Sequence, residues 1–188
     1  MIKYAQIIDD EKKKVSVGIG TDIEYYKSIG MTEMEVEEGY DGQWYVEGYA
    51  PSQPLDELKA DKLAEIDAWT AAKITGGFIS NATGAPVTYD SDKDTQLTVA
   101  SDLNTINLAP DIFAEKFPDG YPMRGYPAGT DTSDKNNKVI YYLTKEQLLQ
   151  WNVDIGLHRG ACKRAGWTKQ AEVAAAQSKK DLEAIGLD

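Results

Sequence analysis

The run from Leu55 to Thr75 constrains this chain most. Pro51 and Pro54 stand before it and Gly76-Gly77 after it. Leu55, Leu58, Leu63, Ile66, Trp69 and Ile74 fall on one broad side, with charged residues on the other. That spacing predicts an amphipathic helix of about six turns, stopped by the glycine pair. The apolar positions hold no strict heptad, so a long coiled coil is not expected, while a short helical seam between subunits stays open. The helix divides the chain into a β-rich module over 1–51, a connecting helix over 52–77 and an α+β domain over 78–188.

The first part reads as strands. Ile2 to Ile8 and Lys14 to Ile19 flank Asp9-Asp10-Glu11-Lys12 in a hairpin pattern. Thr21 is placed to cap a short helix, Asp22 to Ile29, ended by Gly30. Met34 and Val36 alternate with Glu33, Glu35 and Glu37, the period of a half-buried strand. Asp41-Gly42 signals a hairpin into the aromatic strand Gln43 to Tyr49.

Beyond the long helix, Phe78 to Tyr89 reads as two short strands around Asn81-Ala82-Thr83-Gly84. Ser91 and Asp94 resemble a capping box opening a helix from Asp92 to Leu108, and Pro110 allows a further turn through Phe113. Phe117 to Asn137, rich in Pro, Gly, Asp and Asn, reads as a long loop. Lys138 to Leu143 is β-prone. Thr144 and Gln147 form a second capping box for a helix from Lys145 to about Lys163 with Leu148, Trp151 and Ile155 inward, and Ala165 to Ile185 reads as a further helix, with Gly166 as the expected break. The fold class is therefore α+β, ending in helices.

Charge narrows the partners. Lys and Arg number 20 against 31 Asp and Glu, a net charge of −11. Such a chain is repelled by nucleic acids and anionic membranes, so neither is an expected partner. No apolar run approaches the roughly 20 residues of a membrane span, and Met1-Ile2-Lys3-Tyr4 lacks the apolar stretch of a signal peptide. One cysteine, Cys162, excludes an internal disulfide and a thiolate metal cluster, which fits a reducing cytoplasm.

The remaining constellations favour ordinary roles. Asp90-Ser91-Asp92-Lys93-Asp94 alternates like a calcium loop, but Thr95 and Ser101 occupy the positions that need Gly and Glu. A strand end and helix cap is the better reading, and no metal is expected. His158 has Asp154 one turn before it and Cys162 one turn after. No nucleophile signature, phosphate loop or dinucleotide fingerprint accompanies them. No enzymatic activity, catalytic residue or cofactor is expected.

Tyr121-Pro122-Met123-Arg124-Gly125-Tyr126-Pro127 is the leading surface candidate, because Tyr, Met and Arg are enriched at interface cores. Its tyrosines either anchor a partner or pin the loop to the domain. The binding reading expects Arg124 and at least one of Tyr121 and Tyr126 to be accessible. Tyr40, Trp44, Tyr45 and Tyr49 are expected to split between sheet faces, which makes Trp44 and Tyr45 further interface candidates.

Tyr25 to Val36, followed by Tyr40-Asp41-Gly42-Gln43-Trp44-Tyr45 and Gly48-Tyr49-Ala50-Pro51, resembles the N-terminal module of phage and prophage tail proteins from Gram-positive hosts. Val87-Thr88-Tyr89-Asp90-Ser91-Asp92, the Gln96-Leu97 helix, Tyr142 to Leu148 and the His158 helix resemble a domain of unknown function common in tail gene clusters. Against that pattern Phe117 to Asn137 reads as an insertion. The resemblance implies a non-enzymatic tail-fibre accessory or chaperone-like assembly protein. It would bind a tail or tail-fibre protein, in the host cytoplasm during assembly or on the virion tail. Fibre symmetry makes a homo-oligomer a further expectation. Direct recognition of a cell-surface glycan and a cell-wall hydrolase are the alternatives.

Overall fold

The computed structural model describes residues 1–188. It is α+β, with a β-rich N-terminus and helices at the C-terminal end. The chain divides into two compact units, Met1–Ala60 and Asp61–Asp188, and the division falls inside the long helix.

The first unit is a closed four-stranded barrel in the order β1-β2-β4-β3, all antiparallel. Its strands are β1 (Ile2–Asp9), β2 (Lys14–Val17), β3 (Thr32–Glu38) and β4 (Trp44–Val46). Closure leaves no sheet edge unpaired. Ala5, Val15 and Val36 form the core, with Val17, Met34, Trp44 and Val46 half-buried against it. The helix α1 (Ile23–Ser28) is capped by Asp22, whose carboxylate accepts from the Tyr25 N–H at 3.0 Å. The cap is Asp22 and not Thr21, a shift of one residue. Tyr26 of this helix lays its ring over Gly18, where an added Cβ would stand 2.8 Å from the ring.

The long helix α2 spans Leu55–Thr75, the range its punctuation predicted. In the second unit, β5 (Phe78–Ser80), β6 (Val87–Tyr89), β7 (Tyr121–Pro127) and β8 (Val139–Leu143) form an antiparallel sheet in chain order. The helices α3 (Lys93–Leu108) and α5 (Lys145–Ala175) cover one face of it; α4 (Pro110–Lys116) and α6 (Lys179–Glu183) are short. The core joins Phe78, Val87, Tyr89, Tyr121, Met123 and Leu143 of the sheet to Val99, Leu103 and Ile106 of α3 and Leu148, Trp151 and Ile155 of α5.

Two expectations are corrected here. Phe117 to Asn137 is not one long loop, because Tyr121–Pro127 within it is an inner strand of the sheet. Its prolines fit because Pro122 lies where β7 pairs only with β8, and Pro127 where it pairs only with β6. Each proline has an unpaired side for its missing donor. Gly125 sits where a Cβ would come within 2.5 Å of Val87 Cγ1, so the core itself demands a bare backbone there.

The second correction is Gly166, which does not break α5. It is buried, and an added Cβ would collide with Thr70 Oγ1 of α2. Gln170 Nε2 donates to Asp67 Oδ1 at 2.7 Å, and His158 Nε2 lies 3.0 Å from the Lys73 carbonyl oxygen. Ascending numbers on α2 thus meet descending numbers on α5, so the two helices pack antiparallel with the glycine at their crossing. Gly166→Leu is expected to cost roughly 1–3 kcal/mol by overpacking this crossing. Urea unfolding measures it, and a stabilised variant would contradict the packing.

Helix starts follow local chemistry. Thr144 and Gln147 form the expected capping box. At α3 the cap is Asp92, not Ser91: its carboxylate accepts from the Thr95 N–H at 2.9 Å and the Thr95 hydroxyl at 2.6 Å. The Thr95 hydroxyl and N–H hold the Asp92 carboxyl below the usual carboxylate range. A carboxyl so lowered adds stability above its unfolded pKa, about 3.9, which is lost as pH falls through the folded value. Asp92→Asn keeps a competent cap. It is expected to leave neutral stability within about 0.5 kcal/mol while removing this acid-dependent loss. Unfolding at pH 7 and pH 3 checks it; an unchanged pH dependence in the variant would contradict the role.

Candidate binding surface

Helices cover one face of the second sheet. Alternation places Phe78, Ser80, Val87, Tyr89, Tyr121 and Met123 toward α3 and α5. The register aligns the residues between them on the outer face. Ile79 stands opposite Thr88, Thr88 opposite Tyr126, Arg124 opposite Ile140, and Pro122 opposite Tyr142. Ile79, Ile140 and Tyr142 are each more than half exposed, and Pro122 and Arg124 are exposed. An outward strand position is ordinarily polar. Here Pro122, Ile140 and Tyr142 lie on one side of Arg124, while the Asp90–Lys138 ion pair lies on its other side, a mixed surface of the kind that interfaces use.

The expected site residues separate across this architecture. Arg124 projects outward from the middle of β7, as expected. Tyr121 and Tyr126 do not meet the expectation of access, being 8% and 6% exposed. Tyr121 points into the core, its ring 5.2 Å from that of Phe117, and its hydroxyl donates to Asp102. Burial, with that carboxylate, pushes its phenol well above the ordinary range. Tyr126 lies on the outer face, with Lys138 Nζ 5.1 Å from its ring centroid and Lys138 itself paired with Asp90. Alternation along the strand turns Tyr121 inward, whereas Tyr126 is on the outer face and is buried there, with Lys138 over its ring.

Trp44 and Tyr45 belong to the barrel. Tyr45 is buried, and its hydroxyl donates to Asp41 Oδ2 at 2.7 Å. Trp44 is half-buried beneath Lys3 Nζ, 3.8 Å from its ring centroid. Tyr40 and Tyr49 are exposed but lie outside β4, so they do not take opposite sheet faces with Trp44 and Tyr45 as expected. Ile79, Ile140 and Tyr142 were missed as site residues. Their only sequence signal was β-branched and aromatic residues, which equally describes a buried strand.

The other polar constellations are occupied by structure. Asp154 accepts from the Ser80 hydroxyl at 2.6 Å and from Gln150 Nε2 at 2.7 Å. His158 meets the Lys73 carbonyl oxygen, with Cys162 Sγ 3.7 Å from its Nε2. In the acidic run, Asp90 pairs with Lys138 and Asp92 caps α3. The Ser91 hydroxyl donates to the Ile74 carbonyl and accepts from the Gly77 N–H, joining the end of α2 to the sheet. A separate apolar cavity of about 360 Å³ opens between α3 and α4, lined by Ile106, Ala109, Ile112, Phe113 and Phe117.

No helix is long and apolar enough to cross a membrane. Residues 57–186 match the family described as a domain of unknown function (DUF4376). No curated protein and no solved structure matches the chain.

Proposed function

The chain belongs to the DUF4376 family, and we propose that it is a non-enzymatic protein-binding module that serves tail-fibre assembly in a phage or prophage. The outer face of the second sheet supports the binding part of this reading. Exposed Ile140, Tyr142 and Pro122 beside Arg124, with exposed Ile79 on the same face at the opposite edge strand, present apolar surface that water disfavours and a partner protein would cover. The engagement of Asp154, Ser80 and His158 in structural hydrogen bonds supports a role without catalysis. The tail assignment rests on the resemblance of the Tyr25–Pro51 and Val87–Leu148 motifs.

Coexpression with the tail-fibre protein encoded beside it tests the reading. The two are expected to elute together at moderate salt, in the host-cytoplasm setting where fibres assemble. Separate elution would remove the accessory role.

A further inference from the structure

Between Asp154 and Glu172 the chain contains no acidic residue but carries Arg159, Lys163, Arg164 and Lys169. This run lies on α5 in a protein of net charge −11. At 3.6 residues per turn, Val153, Leu157, Arg164 and Trp167 share the side of α5 opposite Trp151, Ile155 and Gly166, with Lys163 at its border. Val153, Leu157 and Trp167 are more than half exposed, and Arg159, Lys163 and Arg164 are exposed. Lys169 differs: it faces Trp69 and donates to the Gly186 carbonyl. The outer face of α5 is therefore an apolar stripe holding the exposed Arg164, with exposed Lys163 at one border and Arg159 further round toward Gly166.

We infer that this face of α5 docks an amphipathic helix of a partner protein whose apolar stripe is flanked by carboxylates. Charge decides the occupant. A second copy paired through the same face would bring Lys163 and Arg164 near their own equivalents, a like-charge contact that disfavours it. Carboxylates beside a matching apolar stripe would answer both features, and helix-in-groove recognition reads such spaced anchors. The backbone leaves room for close approach, since an added Cβ at Gly156 meets nothing within 4 Å. This inference does not rest on the sheet face proposed above.

The test uses the full chain and a synthetic 21-residue helical peptide, Leu on one stripe and Glu on the rest, with its Lys-for-Glu counterpart as control. The Glu peptide is expected to bind with an affinity that falls as salt rises, and the Lys peptide not to bind. R159E/K163E/R164E is expected to weaken binding at least tenfold. Gly156→Leu is expected to weaken binding comparably while thermal stability holds or rises, which separates docking from folding. No binding of the Glu peptide would overturn the inference, as would equal binding by the triple variant. Tighter binding of duplex RNA or anionic vesicles than of the peptide would overturn it too. So would a concentration-dependent dimer that the triple variant abolishes, because the occupant would then be a second copy.

Discussion

Trp151→Ala is expected to destabilise the second unit by about 3–5 kcal/mol, the range for deleting a buried tryptophan. Trp151 is fully buried, with Phe78 edge-on at 5.1 Å and Tyr89 at 6.0 Å between ring centroids. It joins α5 to the first two strands of the sheet, so its loss opens a cavity at the junction of both layers. Its Nε1 has no hydrogen-bond partner in the protein, so removal orphans no acceptor and the packing loss dominates. Against a total stability of about 5–15 kcal/mol, this brings the domain close to unfolding. Urea titration followed by near-ultraviolet circular dichroism measures it. A loss under about 1 kcal/mol would mean that the sheet and α5 do not share a core.

Features set by neighbours in sequence were legible. The long helix could be bounded by its flanking prolines and glycines, and the second capping box by Thr144 and Gln147, because those signals act within one turn. Asp41-Gly42 marked its turn for the same reason; Gly42 has φ +71°, where glycine is at ease. What failed depended on distant partners. Pro122, Gly125 and Pro127 argue against a strand locally, yet β6 and β8 supply pairing wherever a proline does not forbid it. Gly166 looked like a helix end because the reason for it, Thr70, is 96 positions away in sequence.

The site was legible only in part. Arg124 was singled out correctly as exposed, but its two tyrosine neighbours turned inward or beneath Lys138. A triple replacement of Tyr121, Arg124 and Tyr126 would therefore damage the core as well as the surface, and could not test binding alone. Ile140 and Tyr142 became recognisable as surface residues only when register put them beside Arg124 and Pro122, and Ile79 only when it fell on the same outer face. Nothing in a β-prone run says which of its faces a helix will cover.

The outer sheet face makes the second large prediction. Replacing Arg124 and Tyr142 by Ala and Ile140 by Asp is expected to weaken binding of the proposed tail-fibre partner by ~2 kcal/mol or more, about thirtyfold. Stability should change by about 1 kcal/mol or less, because these side chains project away from the core that holds the sheet to its helices. Isothermal titration calorimetry of the wild-type protein and this triple variant against the purified fibre protein tests the account most directly. A wild-type complex with at least thirtyfold weaker binding by the folded variant is the predicted result. Equal affinities for the two proteins, or no wild-type complex at all, would contradict it.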